Sequence, residues 1–334
     1  VDWVYSAGVQ FKQPIFMGGK IIAGHKMGKL GESIALQSHR LTESEVIFET
    51  AQAYANVVRA SEMCKVATAY NGLLVELKRT VDKAFERGIK SHNDVLKVEV
   101  KLNESELNLR RAENALRLAT MNLCHYIGYT LTTQIEVDNN IFIPHYNNAN
   151  ADISLRPEVQ LLSQKSEFMR QKVNMAKGEI LPEIGLIGQY GYINGAQLNG
   201  SKLFNDWNFA VGVQLSIPIF NLSSHAKYRS AQMQYRQSQA EESEKLELMT
   251  LEVTQAINNL DEAAYELHLA ESGRQSATEN LRVSSSQYTV GKESLTDYLE
   301  AQTLWLQSEQ VFVDAKVNQY LRFLDYKKKS GLLN

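Results

Sequence analysis

Three carboxylates follow glycine turns at short spacing. Asp94 stands six residues after Gly88, and Asp297 and Glu300 stand six and nine residues after Gly291. In the first turn of a helix such groups accept from unpaired backbone N–H groups and offset the positive end of the helix dipole, for about 0.3–1 kcal/mol each. Acid/base or metal chemistry would need partners that the chain does not supply. Its seven histidines form no HxxxH or HExxH pair, and there is no P-loop, GxSxG elbow or GxGxxG. His92, beside the first turn, reads as an exposed turn histidine. Glu241-Glu242 and Asp261-Glu262 are sequence neighbours and so point to different helix faces, as on a solvated coiled-coil surface. The residues point away from an enzyme, and no catalytic residue, metal or cofactor is expected.

The elements that must position these carboxylates are long helices. Only five prolines occur in 334 residues, and the stretches between them hold few helix breakers. Helices are expected over about 21–86, 93–127, 156–178, 226–287 and 295–329, with tight turns at Gly88 and Gly291, whose lack of a Cβ permits positive φ. Leu246, Met249, Val253, Ala256, Leu260, Ala263, Leu267, Ala270, Ala277, Leu281, Ser284 and Tyr288 keep an unbroken 3–4 spacing, with Arg274 the one charge in the stripe. A heptad stripe of that length predicts coiled-coil packing. The first long helix shows it in pieces, at Ile47, Ala51, Tyr54 and Val58 and again at Leu74, Leu77, Val81 and Ala84. Cys64 and Cys124 read as small buried side chains on these helices, too few for a disulfide framework. A net charge of −3 without a basic run gives no reason to expect nucleic acid as a partner. No run of 18 apolar residues predicts a membrane-crossing helix.

Three segments alternate instead with period two. Val4 to Ile15 reads as a strand that Pro14 should end, Glu183 to about Leu198 as a second, and Trp207 to Ile217 as a third, with Asn194 to Asp206 a polar loop. Three strands leave open edges. Their length suits a tilted membrane-spanning strand of about 9–11 residues. Trp3, Tyr5, Tyr190, Tyr192, Trp207 and Phe209 fall near their ends, or on one face, as interfacial aromatics would. A barrel shared between chains would remove the edges.

The chain also repeats itself. Asp2–Phe16 reads DWVYSAGVQFKQPIF and Asp206–Phe220 reads DWNFAVGVQLSIPIF, 204 residues apart; Gly88, Ser91 and Asp94 match Gly291, Ser294 and Asp297 at 203. The organisation expected is a first repeat over 1–128, a connecting region over 129–155 and a second repeat over 156–334. The second repeat is preceded by a helix and a strand. The first has nothing before it, so a further helix and strand, and a secretion signal, are expected upstream of Val1.

These residues resemble the outer-membrane efflux channel family, the TolC-like proteins. The resemblance rests on the strand-Pro-Ile-Phe units, the turn motifs RGIKSHNDVL and VGKESLTDYLEAQ, the Leu-Arg-Pro-Glu-Val start at 155–159 and the repeat of about 203 residues. It implies a mainly α fold with a small β part: antiparallel coiled-coil hairpins forming an α-barrel, plus strands for a trimeric transmembrane β-barrel of about twelve strands. It implies a homotrimer in outer-membrane lipid of a Gram-negative bacterium, with a long periplasmic part. Such a duct is passive and serves tripartite efflux or type I secretion, opened at its tip by a periplasmic adaptor protein and an inner-membrane pump. Around the trimer axis, Asp297 and Glu300 would form pore-constricting rings that favour cations. Asp94 and Tyr288 would tie the hairpins together in the closed state, where the family's arginine near the second turn is replaced by Glu293. Arg87, Gly88, Ile89, Lys90 and Ser91, with Val290, Gly291, Lys292, Glu293 and Ser294, would be exposed tip residues that meet the adaptor. The alternatives are a periplasmic adaptor itself, also built on long hairpins, or a coiled-coil scaffold. Neither explains two copies of a strand ending in Pro-Ile-Phe.

Overall fold

A computed structural model describes residues 5–138, 152–198 and 201–333. Its elements are β1 (Tyr5–Met17), α1 (Lys20–Glu86), α2 (His92–Tyr126), α3 (Pro157–Gly178), β2 (Glu183–Leu198), β3 (Ser201–Ser216), α4 (Leu222–Thr289) and α5 (Leu295–Lys329). The long helices come in pairs of matching length. α1 and α4 have 67 and 68 residues, and α2 and α5 have 35 each. Gly88 and Gly291 take φ of 70° and 75° at matching turns.

Two compact units arise: Val1–His39 with Pro157–Glu247, and Arg40–Arg156 with Leu248–Asn334. Each draws on both sequence repeats. In the first unit the strands form one antiparallel sheet in the order β1-β2-β3. α3 lies along the first turns of α4, where Lys172 Nζ donates to Gln234 at 3.0 Å and Lys227 Nζ meets Glu179 at 3.1 Å. At the sheet base Lys20 pairs with Glu183.

The second unit is built on the heptad stripe. Val253, Ala256, Leu260, Ala263, Ala270, Ala277 and Ser284 of α4 are buried, and the remaining stripe positions are half-buried. The charge in the stripe is accommodated, because the Arg274 guanidinium lies 4.0 Å from the Phe312 ring centre and 4.0 Å from Glu309. The largest cluster lies beside the two turns and joins four helices: Tyr70, Leu74, Leu77 and Val81 of α1, Val95 and Val98 of α2, and Leu295, Tyr298 and Leu299 of α5, with Leu281 and Tyr288 of α4 against it.

Three boundaries differ from the sequence expectation. Pro14 does not end β1; the strand continues to Met17 through a bulge between Pro14 and Phe16. The extra residue absorbs the missing N–H and lets pairing resume. The expected polar loop at 194–206 is largely hairpin, with pairing continuing through Ala196↔Phe204 to Leu198↔Ser201. Polar side chains tolerate a strand end whose backbone groups are paired. α4 begins at Leu222 rather than Ala226, because the Asn221 side chain accepts from the Ser224 N–H at 3.1 Å and caps the earlier start.

Candidate functional site

The sheet sorts its side chains by chemistry. Directly opposed residues of antiparallel strands share a face. The register therefore places Val9 and Phe11 of β1, Leu186, Tyr190 and Tyr192 of β2, and Trp207, Phe209, Val211, Val213 and Leu215 of β3 on one face. Apart from Gln13, opposite Leu186, this face is apolar, and it is open: Val9 and Phe209 are each 74% exposed and Val213 71%. The opposite face carries Gln10, Lys12, Gln189, Asn208, Ala210, Gly212 and Gln214. An uncovered apolar face backed by a polar one is the dyad pattern of a membrane β-barrel, lipid outside and water inside. From Trp207 to Leu215 the apolar band covers nine residues, about 27 Å along the strand, in keeping with a tilted membrane-spanning strand of about 9–11 residues.

The expected interfacial aromatics gather at one end of this band. Tyr190 stacks on Trp207 with centroids 5.0 Å apart, and Tyr192 lies 5.4 Å from the same ring. Phe209 follows one step down the strand. Tyr5 begins β1 opposite Asn194, and Trp3 lies outside the described residues. The sequence reading missed the aromatics at the other end. The bulge shifts β1 by one residue, so that Phe16 pairs with Ile184 and joins the apolar face. Phe220, its repeat counterpart, is 98% exposed. The repeated Pro-Ile-Phe was the available signal.

The turns are built alike. At the first, Gly88 N–H donates to Phe85 O at 2.8 Å and Ile89 N–H to Ala84 O at 2.8 Å. Ser91 then caps α2: its Oγ accepts from Asp94 N–H at 3.2 Å, and the Asp94 carboxylate accepts from Ser91 N–H at 3.2 Å. At the second, Gly291 N–H donates to Tyr288 O at 3.1 Å, and Ser294 Oγ accepts from Asp297 N–H at 3.2 Å and donates to its carboxylate at 2.8 Å. Ser91 and Ser294 are thus the N-caps; Asp94 completes a capping box from three residues on, and the Asp297 carboxylate accepts from the Ser294 hydroxyl. Glu300 stands in the second turn of α5, not the first, and is exposed like Asp297.

The tip residues expected to be exposed divide. Arg87, Gly88, Ile89, Ser91, Val290, Gly291, Lys292 and Ser294 are exposed. Lys90 and Glu293 are half-buried. Lys90 Nζ lies 4.9 Å from the Tyr288 ring centre, and Glu293 Oε1 accepts from Ser284 Oγ at 2.7 Å. Tyr288 in turn stacks on Tyr298 at 4.9 Å. Asp94 and Tyr288 are close enough to interact. Burial holds the Tyr288 hydroxyl above the ordinary tyrosine range, and the Asp94 carboxylate and Tyr298 push it further up. A tyrosine raised in the fold contributes fully below its unfolded value, and that contribution is lost as pH rises through the higher folded value. Tyr288→Phe is therefore expected to remove a loosening of the tip that sets in above about pH 10. Limited proteolysis at the turns against pH reads this, and identical profiles for the two proteins would dismiss it.

One group was not foreseen. Gln302 of α5 is fully buried beside the four-helix cluster, and its Oε1 and Nε2 find no partner among the described residues. Such a group costs about 1–3 kcal/mol. Its position one turn beyond Tyr298 and Leu299 would have exposed it to a heptad count on α5.

A sheet with one lipid-suited and one water-suited face in one unit, and long coiled-coil helices in the other, are the parts of an outer-membrane channel protein. Residues 151–324 match the family described as outer membrane efflux protein, and the chain belongs to that family. It is 25% identical to the outer membrane protein TolC of Escherichia coli, over 98% of this chain and 70% of that one. It is 21% identical to the alkaline protease secretion protein AprF of Pseudomonas aeruginosa, over 65% of this chain and 46% of that one. Its fold matches the outer membrane protein VceC of Vibrio cholerae with a TM-score of 0.86 at 16% identity, covering 98% and 86% of the two chains. It matches the CmeC outer membrane channel of Campylobacter jejuni at 0.83 and 21% identity, covering 98% and 71%. The protein is an outer-membrane exit duct of the efflux or type I secretion kind.

Proposed function

We propose that three copies pool their strands into one closed barrel, and that the duct is passive, shut at its helical tip and opened there by a periplasmic adaptor coupled to an inner-membrane pump. The observation that carries the reading is the sheet itself. Its apolar face is uncovered, and β1 and β3 are its outer strands among the described residues. Lipid tolerates no open backbone edge, so other strands must complete it. Exposed turn residues, Arg87 and Ile89 at one tip and Val290 and Lys292 at the other, offer the adaptor its contacts. The Asp94–Tyr288 neighbourhood links the hairpins in the closed state. Native mass spectrometry of the detergent-extracted full-length protein is expected to give a single trimer; a monomer would sink the shared barrel.

Asp297 and Glu300 are assigned to constriction rings. Both are exposed, and they are three residues apart on α5, so one helix face presents them together. Replacing both with alanine is expected to raise conductance in planar bilayers and to weaken cation preference, since each ring narrows the pore and concentrates cations. Unchanged conductance and selectivity would defeat the assignment. No chemical step on the cargo is proposed.

A further inference from the structure

Lys12 is an unbalanced charge on the water-suited face of the sheet. It pairs in register with Ile187 of β2, which pairs with Gly212 of β3. Its neighbours along β1 on this face are Gln10 and Pro14, and the adjoining positions of β2 are Gly185 and Gln189. None carries negative charge. Lys12 is exposed and makes no hydrogen bond or ion pair among the described residues. The space over Gly212 is open, with nothing within 4 Å of where a Cβ would stand. The register places two other charges on this face: Glu183, which Lys20 engages at the sheet base, and Asp206, opposite Ile193 and six residues along β3 from Gly212, about 20 Å away. Across residues 6–17, 183–192 and 207–216, the other residues on this face are uncharged: glycine, amide, hydroxyl and apolar, Ile187 opposite Lys12 among the last.

We infer that Lys12 forms a cationic belt inside the barrel that draws anionic solutes, carboxylates and sulfonates among them, into the membrane-spanning part of the duct. The inference rests on the shared-barrel reading, in which this face lines the lumen and each copy contributes one ammonium. In a water-filled passage with low-dielectric walls a fixed ring of like charge concentrates counter-ions. Its sign is opposite to that of the exposed acidic pair Asp297 and Glu300, so the duct would carry two charge filters of opposite preference at different points along the passage. An anionic cargo would be favoured at the barrel and a cationic one at the tip.

The test uses the full-length protein in outer-membrane vesicles, with Cys64 and Cys124 replaced by serine. Gln10→Cys places a thiol two residues from Lys12 on the same face. Its reaction rates are measured with an anionic and a cationic methanethiosulfonate, with Lys12 present and with Lys12→Gln. The anionic-to-cationic rate ratio is expected to fall by roughly 3-fold when Lys12 is removed, the size of effect expected from a nearby charge in water. A ratio that stays put while Gln10→Cys still reacts with both reagents overturns the belt and leaves the barrel standing. If Gln10→Cys reacts with neither while Val211→Cys, on the opposite face, reacts with both, the face assignment is reversed and the barrel reading falls with the belt.

Discussion

Val211→Arg is expected to empty the outer-membrane fraction of this protein. Val211 lies midway along the apolar band of β3, opposite Gly188, and is 60% exposed. An arginine on the lipid side at mid-depth costs about 2–4 kcal/mol. In a three-copy barrel the cost is paid by every copy, about 6–12 kcal/mol in all, which rivals the whole stability of a typical fold. The variant should collect as aggregate or be degraded. Ala210→Arg is the control. It stands one residue away on the opposite face, where a long charged side chain reaches water. Membrane fractionation and heat-modifiable gel mobility read both. Normal insertion of Val211→Arg with loss of Ala210→Arg would mean that the faces are inverted.

Leu74→Ala is expected to loosen the tip by about 3–4 kcal/mol, within the range of buried leucine truncations. Leu74 has no exposed surface and sits in the cluster where α1, α2 and α5 meet beside both turns. The surroundings of a truncated core side chain relax only partly, so most of the lost contacts are not regained. Local opening should rise by about two to three decades, because 1.4 kcal/mol is tenfold. Amide hydrogen exchange of residues 70–100 and 290–305 measures this. Val75→Ala, the next residue but 46% exposed, should change stability by no more than about 0.5 kcal/mol. If that cluster holds the duct shut, Leu74→Ala should also raise resting conductance. Equal protection in the two variants would show that the tip is held elsewhere.

The helices were legible because their pattern is redundant. Twelve stripe positions on α4 agree on one face, and no single misread residue changes that answer. α5 and the matching turn glycines were legible too; the Ser91 and Ser294 caps were not, because capping was read onto the carboxylates that follow them. The failures fall where one local interaction outweighs composition. Asn221 caps α4 earlier than its apolar pattern begins. Paired backbone carries the hairpin through 194–206 although those side chains look like loop. A bulge carries β1 past Pro14. Of the candidate residues, the common face of Tyr190 and Tyr192 was readable from the period of two, while the nearness of Asp94 to Tyr288 was implied by the family resemblance alone. The burial of Lys90 and Glu293 was not, because each is fixed by a residue on a neighbouring helix or an earlier turn, Tyr288 and Ser284. Gln302 and Lys12 escaped for a related reason. Each matters through what its surroundings lack, a hydrogen-bonding partner in one case and a counter-charge in the other, and only the register or the packing reveals a lack.

The bulge at Pro14 has a consequence for the chain in transit. Until the sheet is completed, both outer strands are templates for wrong partners, the route to aggregation that natural sheets guard against with proline, bulges and lysine. β1 carries all three, at Pro14, between Pro14 and Phe16, and at Lys12. β3 from Trp207 to Ser216 carries none. Mispairing in the periplasm should therefore begin at β3, which makes that strand the natural place for a chaperone to shield.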